Sequence, residues 1–124
     1  MEDYKLIDSS VWLAYLFNGQ YSNIIDFNEI FLLSILSLFE IKKKLVKNNF
    51  DKIKIDKSID FIKKRSLIIP INIEVAEKAV ELSLKHDLPI IDSLIYATSQ
   101  LHNSSLLTLD NDFRGLNGVI FLEP

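Results

Sequence analysis

Short apolar segments alternate with longer amphipathic segments along the whole chain, and this alternation limits the fold more than any other feature. The amphipathic segments repeat apolar residues at helical spacing, whereas the short segments have the length of buried strands. The five predicted strands are residues 4–7, 30–33, 67–71, 106–109 and 119–122. Strands that alternate with helices need crossover connections, which make neighbouring strands parallel. The sequence therefore predicts an α/β fold, with a mostly parallel central sheet of about five strands and helices on both faces.

The length and composition of the chain exclude several classes of protein. Its 124 residues are enough for one domain, which we predict over residues 1–124. The longest apolar segment, residues 30–39, has about half of the roughly 20 residues that a bilayer span needs, so no membrane association is expected. No secretion signal is visible in the first residues, which favours a cytoplasmic location. The absence of cysteine excludes disulfides and metal sites built on thiolates.

Four acidic residues lie where apolar segments meet polar ones. Asp8 and Asp110 follow predicted strands. Asp92 begins a predicted helix, and Glu40 lies in the early turns of another. Any one of them alone would normally be a helix cap or a turn residue. Because ligands of parallel sheets bind beyond the carboxyl ends of the strands, we expect the four to converge.

Carboxylates that lie close together repel one another, and this repulsion is relieved in one of two ways. They either raise one another's pKa values, so that some are protonated, or hold a cation between them. Oxygen ligands without histidine or cysteine favour Mg²⁺ or Mn²⁺ over softer metals. The two histidines, His86 and His102, fall at predicted helix C-termini, where the helix dipole favours a positive imidazole, and they are predicted to be structural. The pattern therefore predicts an acidic site for a hard divalent metal.

Three aromatic side chains on predicted helices allow two interpretations. Trp12, Phe39 and Tyr96 could stack on nucleic-acid bases. Their helical spacing beside leucine and isoleucine favours a place in the core instead.

Four segments of the chain resemble, in the same order, the motifs of PIN-domain proteins of the VapC toxin type. They are residues 6–11 (LIDSSV), 38–41 (LFEI), 88–97 (LPIIDSLIYA) and 107–113 (LTLDNDF). The resemblance covers essentially the whole chain. It implies a PIN-like fold and a metal-dependent endoribonuclease that hydrolyses RNA phosphodiesters, the toxin of a type II toxin–antitoxin pair. It also implies an RNA substrate, a possible cognate antitoxin and a homodimer as partners.

The resemblance also assigns roles to individual residues. Its catalytic and Mg²⁺- or Mn²⁺-binding carboxylates would be Asp8, Glu40, Asp92 and Asp110. Hydrogen bonds near the metal or the scissile phosphate would come from Ser9 and Thr108. An additional acid, Asp112, would be a further metal ligand or would support the others.

Two departures from the family pattern affect these assignments. Residues 21–29 are short for a region that forms a longer antitoxin-binding helical clamp in many relatives. Partner binding is therefore expected to be reduced or reshaped. Both Asp110 and Asp112 are present, so the sequence leaves open which of them reaches the metal.

The net charge of −3 conceals a strong asymmetry along the chain. Residues 42–65 hold ten basic and three acidic residues, a local charge of +7, whereas the remainder holds four basic and fourteen acidic residues, a charge of −10. The basic segment allows three interpretations. It forms the solvated faces of two helices, a track for an RNA backbone, or a surface that packs against a second subunit or an antitoxin helix.

Three alternatives to a toxin share parts of this pattern. A housekeeping PIN nuclease would use the same acids. A phospho-accepting receiver domain needs an aspartate after its central strand and a lysine after a late strand, and neither 67–72 nor the segment after 119–122 supplies them. A non-catalytic binding module would use the acids only as caps and turns.

Overall fold

The computed structural model describes residues 4–123, which form one five-stranded sheet with helices packed on both faces. The strands are β1 (Tyr4–Ile7), β2 (Phe31–Ser34), β3 (Ser66–Ile69), β4 (Ser104–Thr108) and β5 (Val119–Phe121). The helices are α1 (Ser9–Asn18), α2 (Ser22–Ile25), α3 (Ile35–Lys47), α4 (Lys52–Arg65), α5 (Ile73–His86) and α6 (Ile90–Leu101). A short 3-10 turn, Asn111–Phe113, follows β4. This architecture confirms the predicted fold class.

The strand order is β3-β2-β1-β4-β5, and every neighbouring pair is parallel. The chain leaves β1 towards β2 on one side of the sheet and later returns to β4 on the other side. The crevice between the carboxyl ends of β1 and β4 is therefore the point at which the strand order reverses. Open α/β sheets bind ligands at this point.

The side chains of alternate strand residues pack into two separate cores, one on each face of the sheet. Ile7, Leu33 and Leu107 join a cluster with α1, α3 and α4, centred on the fully buried Trp12. On the other face, Leu6, Leu32 and Leu106 join a cluster with α5 and α6. Both faces of the strands are thus covered, which explains why the strands are almost continuously apolar.

Several element boundaries differ from the sequence prediction by one or two residues. The strand predicted over 67–71 ends at Ile69, because Pro70 has no N–H to donate and the strand lies at the edge of the sheet. The sequence predicts Ser9 or Ser10 as the N-cap of the helix after β1, but this helix begins at Ser9 and its N-cap residue is Asp8. His86 and His102 do lie at helix C-termini, as predicted.

Helical spacing predicts a buried apolar stripe on α3 that includes Val46 and an apolar face on α5 that includes Ala76, Val80 and Leu84, but the structure exposes these four positions. Val46 is 57% exposed, and Val80 and Leu84 are 60% and 81% exposed. Helical spacing identifies an apolar face, but it does not tell how wide a strip the rest of the fold covers. Within residues 4–123, none of the helices has the length and apolar character that a bilayer crossing would require.

Candidate metal centre

Asp8 lies at the carboxyl end of β1 and is held by hydroxyl groups. Its side chain is only 4% exposed. Its Oδ2 atom accepts hydrogen bonds from Ser10 Oγ at 2.8 Å and from Thr108 Oγ1 at 2.7 Å. Its backbone N–H donates to the carbonyl oxygen of Leu107 at 3.0 Å, which joins the ends of β1 and β4. The position of this carboxylate is therefore fixed by two neighbouring strands.

The same hydroxyl groups also organise the segment after β4. Ser10 Oγ accepts from the backbone N–H of Leu109, and Thr108 Oγ1 accepts from the backbone N–H of Asp110, each at 3.0 Å. Each hydroxyl thus accepts from the β4 segment while it donates to Asp8. Thr108 is fully buried, so its hydroxyl acts on Asp8 and on the backbone of Asp110.

Glu40 reaches the site from the second turn of α3. Ser34 caps this helix by accepting from the backbone N–H of Leu36, and the helix places Glu40 on the side that faces α1. There Glu40 Oε1 accepts a hydrogen bond from Ser9 Oγ at 3.2 Å. Ser9 and Ser10, the first two residues of α1, therefore support different carboxylates.

Asp92, Asp110 and Asp112 form the most compact part of the site, and we call them the acidic triad. One carboxylate oxygen from each lies within 4.8 Å of the others. Asp92 lies in the first turn of α6, where free backbone N–H groups and the helix dipole favour a negative charge. Asp110 caps the 3-10 turn by accepting from the backbone N–H of Asp112 at 3.0 Å. The start of α6 and the capped 3-10 turn thus bring these three carboxylates close together.

The pKa values of three carboxyls report the crowding of negative charge. Burial, then the charges of Asp110, Asp112 and Asp8 and a hydrogen bond with Asp112, raise the pKa of Asp92 to about 7. Burial also raises the pKa of Asp8, which the hydrogen bonds from Thr108 and Ser10 partly oppose. For Glu40, burial and then the charge of Asp8 raise the pKa. The charge of Asp110 adds to all three shifts, as the second cause for Asp92 and the smallest for Asp8 and Glu40.

No cation of the described protein compensates this charge. Among residues 4–123, the only ion pairs are Lys5–Glu29 and Arg114–Glu123, and neither involves a carboxylate of the site. A set of partly buried oxygen donors without a basic partner fits a hard divalent ion such as Mg²⁺ or Mn²⁺. The residues present therefore suit the metal that the sequence led us to expect.

The structure brings together all the site residues predicted from the sequence. Asp92, Asp110 and Asp112 lie together, and the charges of Asp8 and Asp110 reach both Glu40 and Asp92. Ser9 contacts Glu40, and Thr108 contacts Asp8. Sequence reasoning missed Ser10, whose hydroxyl touches Asp8, Thr108 and the Leu109 backbone. A serine two residues after a strand-ending acid reads as a helix cap, and only the pairing of β1 with β4 shows its second role.

A family model for the PIN domain matches residues 5–119 of the chain. The chain belongs to the PIN-domain family. The matched range contains all five acids of the site. A comparison with curated proteins gives no match.

Solved structures of toxin–antitoxin proteins share the fold of this PIN domain. A toxin–antitoxin complex from Klebsiella pneumoniae is 26% identical, with a TM-score of 0.79, over 94% of this chain and 95% of that one. VapBC2 from Rickettsia felis, bound to a promoter DNA fragment, is 16% identical, with a TM-score of 0.76 over 96% and 97%. VapC20 from Mycobacterium tuberculosis, described as a sarcin–ricin loop cleaving toxin, is 15% identical, with a TM-score of 0.73 over 97% and 99%. The resemblance to VapC-type PIN proteins is thereby confirmed.

Proposed function

We propose that this PIN domain is a divalent-metal-dependent endoribonuclease and the toxin of a type II toxin–antitoxin pair. The observation that carries the proposal is the acidic triad, bordered by Asp8 and Glu40, at the point where the strand order of the sheet reverses. Mg²⁺ or Mn²⁺ held there would activate water and neutralise charge on the phosphodiester. The PIN family and the toxin–antitoxin structures of the same fold support this assignment.

Different residues would bind the metal, position its ligands and contact the RNA. The acidic triad would hold the ion together with Asp8 and Glu40, and Ser10 and Thr108 keep Asp8 in place before any ligand binds. Ser9 donates its one hydroxyl proton to Glu40 Oε1 in the metal-free protein. Once Glu40 bound the ion, this proton would be donated to the scissile phosphate instead. In the mechanism that the family resemblance implies, water would attack the phosphorus and the 3′-oxygen would leave with a proton, so the products would carry 5′-phosphate and 3′-hydroxyl ends.

A cleavage assay tests the proposal. The purified protein should cleave single-stranded RNA with Mg²⁺ or Mn²⁺, stop when a chelator is in excess, and leave 5′-phosphate ends. Cleavage that continues in excess chelator, or products with 2′,3′-cyclic phosphates, would contradict it. A cyclic phosphate would mean that the RNA's own 2′-hydroxyl was the nucleophile.

The basic surface of α3 and α4 supports a polyanionic substrate. Each phosphate that a lysine neutralises releases counterions, so RNA binding should weaken steeply with salt. Replacing Lys43, Lys47 and Lys54 by glutamate should raise KM and lower the salt slope by up to about 2. The control reverses Lys78 and Lys85, which lie on α5 outside the basic segment, and the two variants are compared per reversed lysine. An equal change in KM per reversed lysine would mean that only the overall charge of the protein matters.

The proposed partners are an antitoxin and a second copy of the chain. The toxin–antitoxin structures of the same fold support the first, while the four-residue α2 leaves little of the helical clamp and favours a reshaped antitoxin contact. An adjacent short gene that encodes a protein with a DNA-binding N-terminus would support an antitoxin partner. Co-purification of that protein with this chain, and inhibition of RNA cleavage by it, would test the partnership.

The outer face of α5 supports self-association. Ile73, Val80 and Leu84 are 78%, 60% and 81% exposed, and their spacing of seven and four residues puts them on one stripe. Leu84→Glu should make a dimer monomeric in sedimentation experiments. The control is Val46→Glu on α3, which is also an exposed apolar position. If only the α3 variant becomes monomeric, the subunit contact lies on α3 and not on α5.

A further inference from the structure

The structure separates the three aromatic side chains that the sequence grouped together. Trp12 and Tyr96 are 0% and 1% exposed and belong to the two cores. Phe39 is 64% exposed on α3, immediately before Glu40. The fold thus leaves an aromatic ring available for contact with a ligand, next in sequence to one carboxylate of the site.

A groove runs from the metal centre to Phe39. Its volume is about 470 Å³, within the usual range for pockets that hold a ligand the size of a nucleotide. Ser9 and Glu40 belong to both the groove and the metal centre. The walls of the groove include the apolar side chains of Phe39 and Ile91. Ile91 is 39% exposed.

Lysines give this groove a positive charge. Lys43, Lys44 and Lys47 line it, and Glu40 is its only acid within the described residues. The Nζ atom of Lys43 lies 5.8 Å from the centre of the Phe39 ring. An aromatic face next to ammonium groups is the combination with which proteins bind single-stranded nucleic acid, the ring stacking on a base and the cations following the backbone. Its charge complements a polyanion.

We propose that Phe39 is the stacking platform for the base of the nucleotide next to the scissile phosphate, with Lys43 and Lys47 on the neighbouring phosphates. This inference rests on the proposed nuclease function and names how that site selects its substrate. Every base has a π-face, so the platform would require an unpaired nucleotide without requiring one base. It would therefore direct cleavage to single-stranded or looped RNA.

Kinetics of Phe39 variants test the proposal on single-stranded oligoribonucleotides of about eight residues, in the range that such grooves accommodate. Phe39→Ala should raise KM about 5-fold or more with little change in kcat, since stacking acts on binding. Phe39→Trp should restore binding. Phe39→Leu keeps the apolar surface but loses the π-face, so it should behave like Phe39→Ala. The control is Phe27→Ala. Phe27 is 65% exposed, but it lies before the amino end of β2, whereas the metal centre lies beyond the carboxyl ends of the strands.

Abasic oligonucleotides locate the stacked base. Removing the base at one position beside the scissile phosphate should weaken binding to the unaltered protein by the same factor as Phe39→Ala. Combining the two changes should give no further loss, because both remove one contact. Binding can be measured by fluorescence anisotropy in an Asp92→Asn background, which should not cleave the RNA.

Each remaining outcome has a separate meaning. An unchanged KM for Phe39→Ala, or full binding by Phe39→Leu, would overturn the stacking role while metal-dependent cleavage remained. Unchanged RNA kinetics with weakened antitoxin binding would show that the groove binds protein, which also overturns it. If the unaltered protein has no divalent-dependent ribonuclease activity, the proposed function fails and the stacking role fails with it.

Discussion

Asp8 and the acidic triad are neighbours in one crevice, yet they are stabilised in opposite ways. Asp8 is almost completely buried and accepts hydrogen bonds from two hydroxyl groups. The triad is more exposed, and its members mainly face one another. The burial cost of Asp8 is partly offset by the protein itself, whereas the repulsion within the triad is left for a ligand to relieve. One half of the site is thus prearranged, and the other half is prepared to bind a cation.

The largest expected effect comes from removing one charge in either half. Asp8→Asn and Asp92→Asn should each lower cleavage at least about a hundredfold, because the metal contributes several kcal/mol to the transition state. Stability without metal should stay equal or rise, since each change removes a charge from a crowded site. Kinetics and thermal unfolding measure the two effects. The control is Asp87→Asn, an exposed position with φ 54°, a conformation that asparagine tolerates.

If either variant unfolds while both retain cleavage in the folded fraction, the two carboxylates are structural caps. In that case Asp8 is not prearranged for catalysis, and the acidic triad does not bind a catalytic cation.

The next effect in size comes from a residue that donates to Asp8 and also accepts from the backbone N–H of Asp110. Thr108→Val removes the 2.7 Å hydrogen bond to Asp8 and should lower activity or metal affinity about 10- to 100-fold, as the loss of a ligand's supporting contact usually does. Thr98→Val is the matched control, because Thr98 is equally buried but donates only to the backbone of its own helix. Equal losses in both variants would show a general packing effect.

Within the triad, Asp110 should matter more than Asp112. Asp110 raises the pKa values of Asp8, Glu40 and Asp92, whereas Asp112 is exposed and affects only Asp92 among them. Asp110→Asn should therefore approach the effect of Asp92→Asn, while Asp112→Asn should cost no more than about 10-fold, the lower end for a supporting residue. Metal affinity measured by calorimetry gives the ranking, and the reverse order would make Asp112 a more important metal ligand than Asp110.

The smallest expected effect is a pH dependence of stability without metal. Because the pKa of Asp92 rises from 3.8 to about 7 on folding, the folded protein retains a proton that the unfolded chain has lost between these values. The contribution of this carboxyl to stability is therefore present below the unfolded pKa and is lost as the pH rises through about 7. Denaturant unfolding between about pH 5 and pH 8 should show a fall that Asp92→Asn reduces. An identical fall in Asp92→Asn would assign the effect to other groups.

The fold class, and the meeting of strand-ending acids at one edge of the sheet, could be predicted from the sequence for a physical reason. Parallel strands place their carboxyl ends at one edge, so residues that follow strands, such as Asp8 and Asp110, meet there whatever the details of packing. The support of Asp8 by Ser10 could not be predicted, because it depends on the spacing between β1 and β4.

Exposure was the second quantity that the sequence could not supply. Apolar periodicity is the same for a face that packs in the core and for one that meets a partner. Leu84 and Phe39 therefore read as core residues, although 81% and 64% of their surfaces are exposed. Both positions became functional candidates only when the packing around them was known.

Thermal unfolding in the presence of Mn²⁺ tests the central claim most directly. A ligand that binds only the folded state stabilises it, and at about 100 times its Kd the melting temperature of a domain of this size should rise by about 10 °C. The measurement belongs at about pH 8, where Asp92 is ionised and able to bind a metal. We expect this rise for the unaltered protein and little or none for Asp92→Asn or Asp110→Asn. No rise in the unaltered protein, or an equal rise in both variants, would contradict a metal site at the acidic triad.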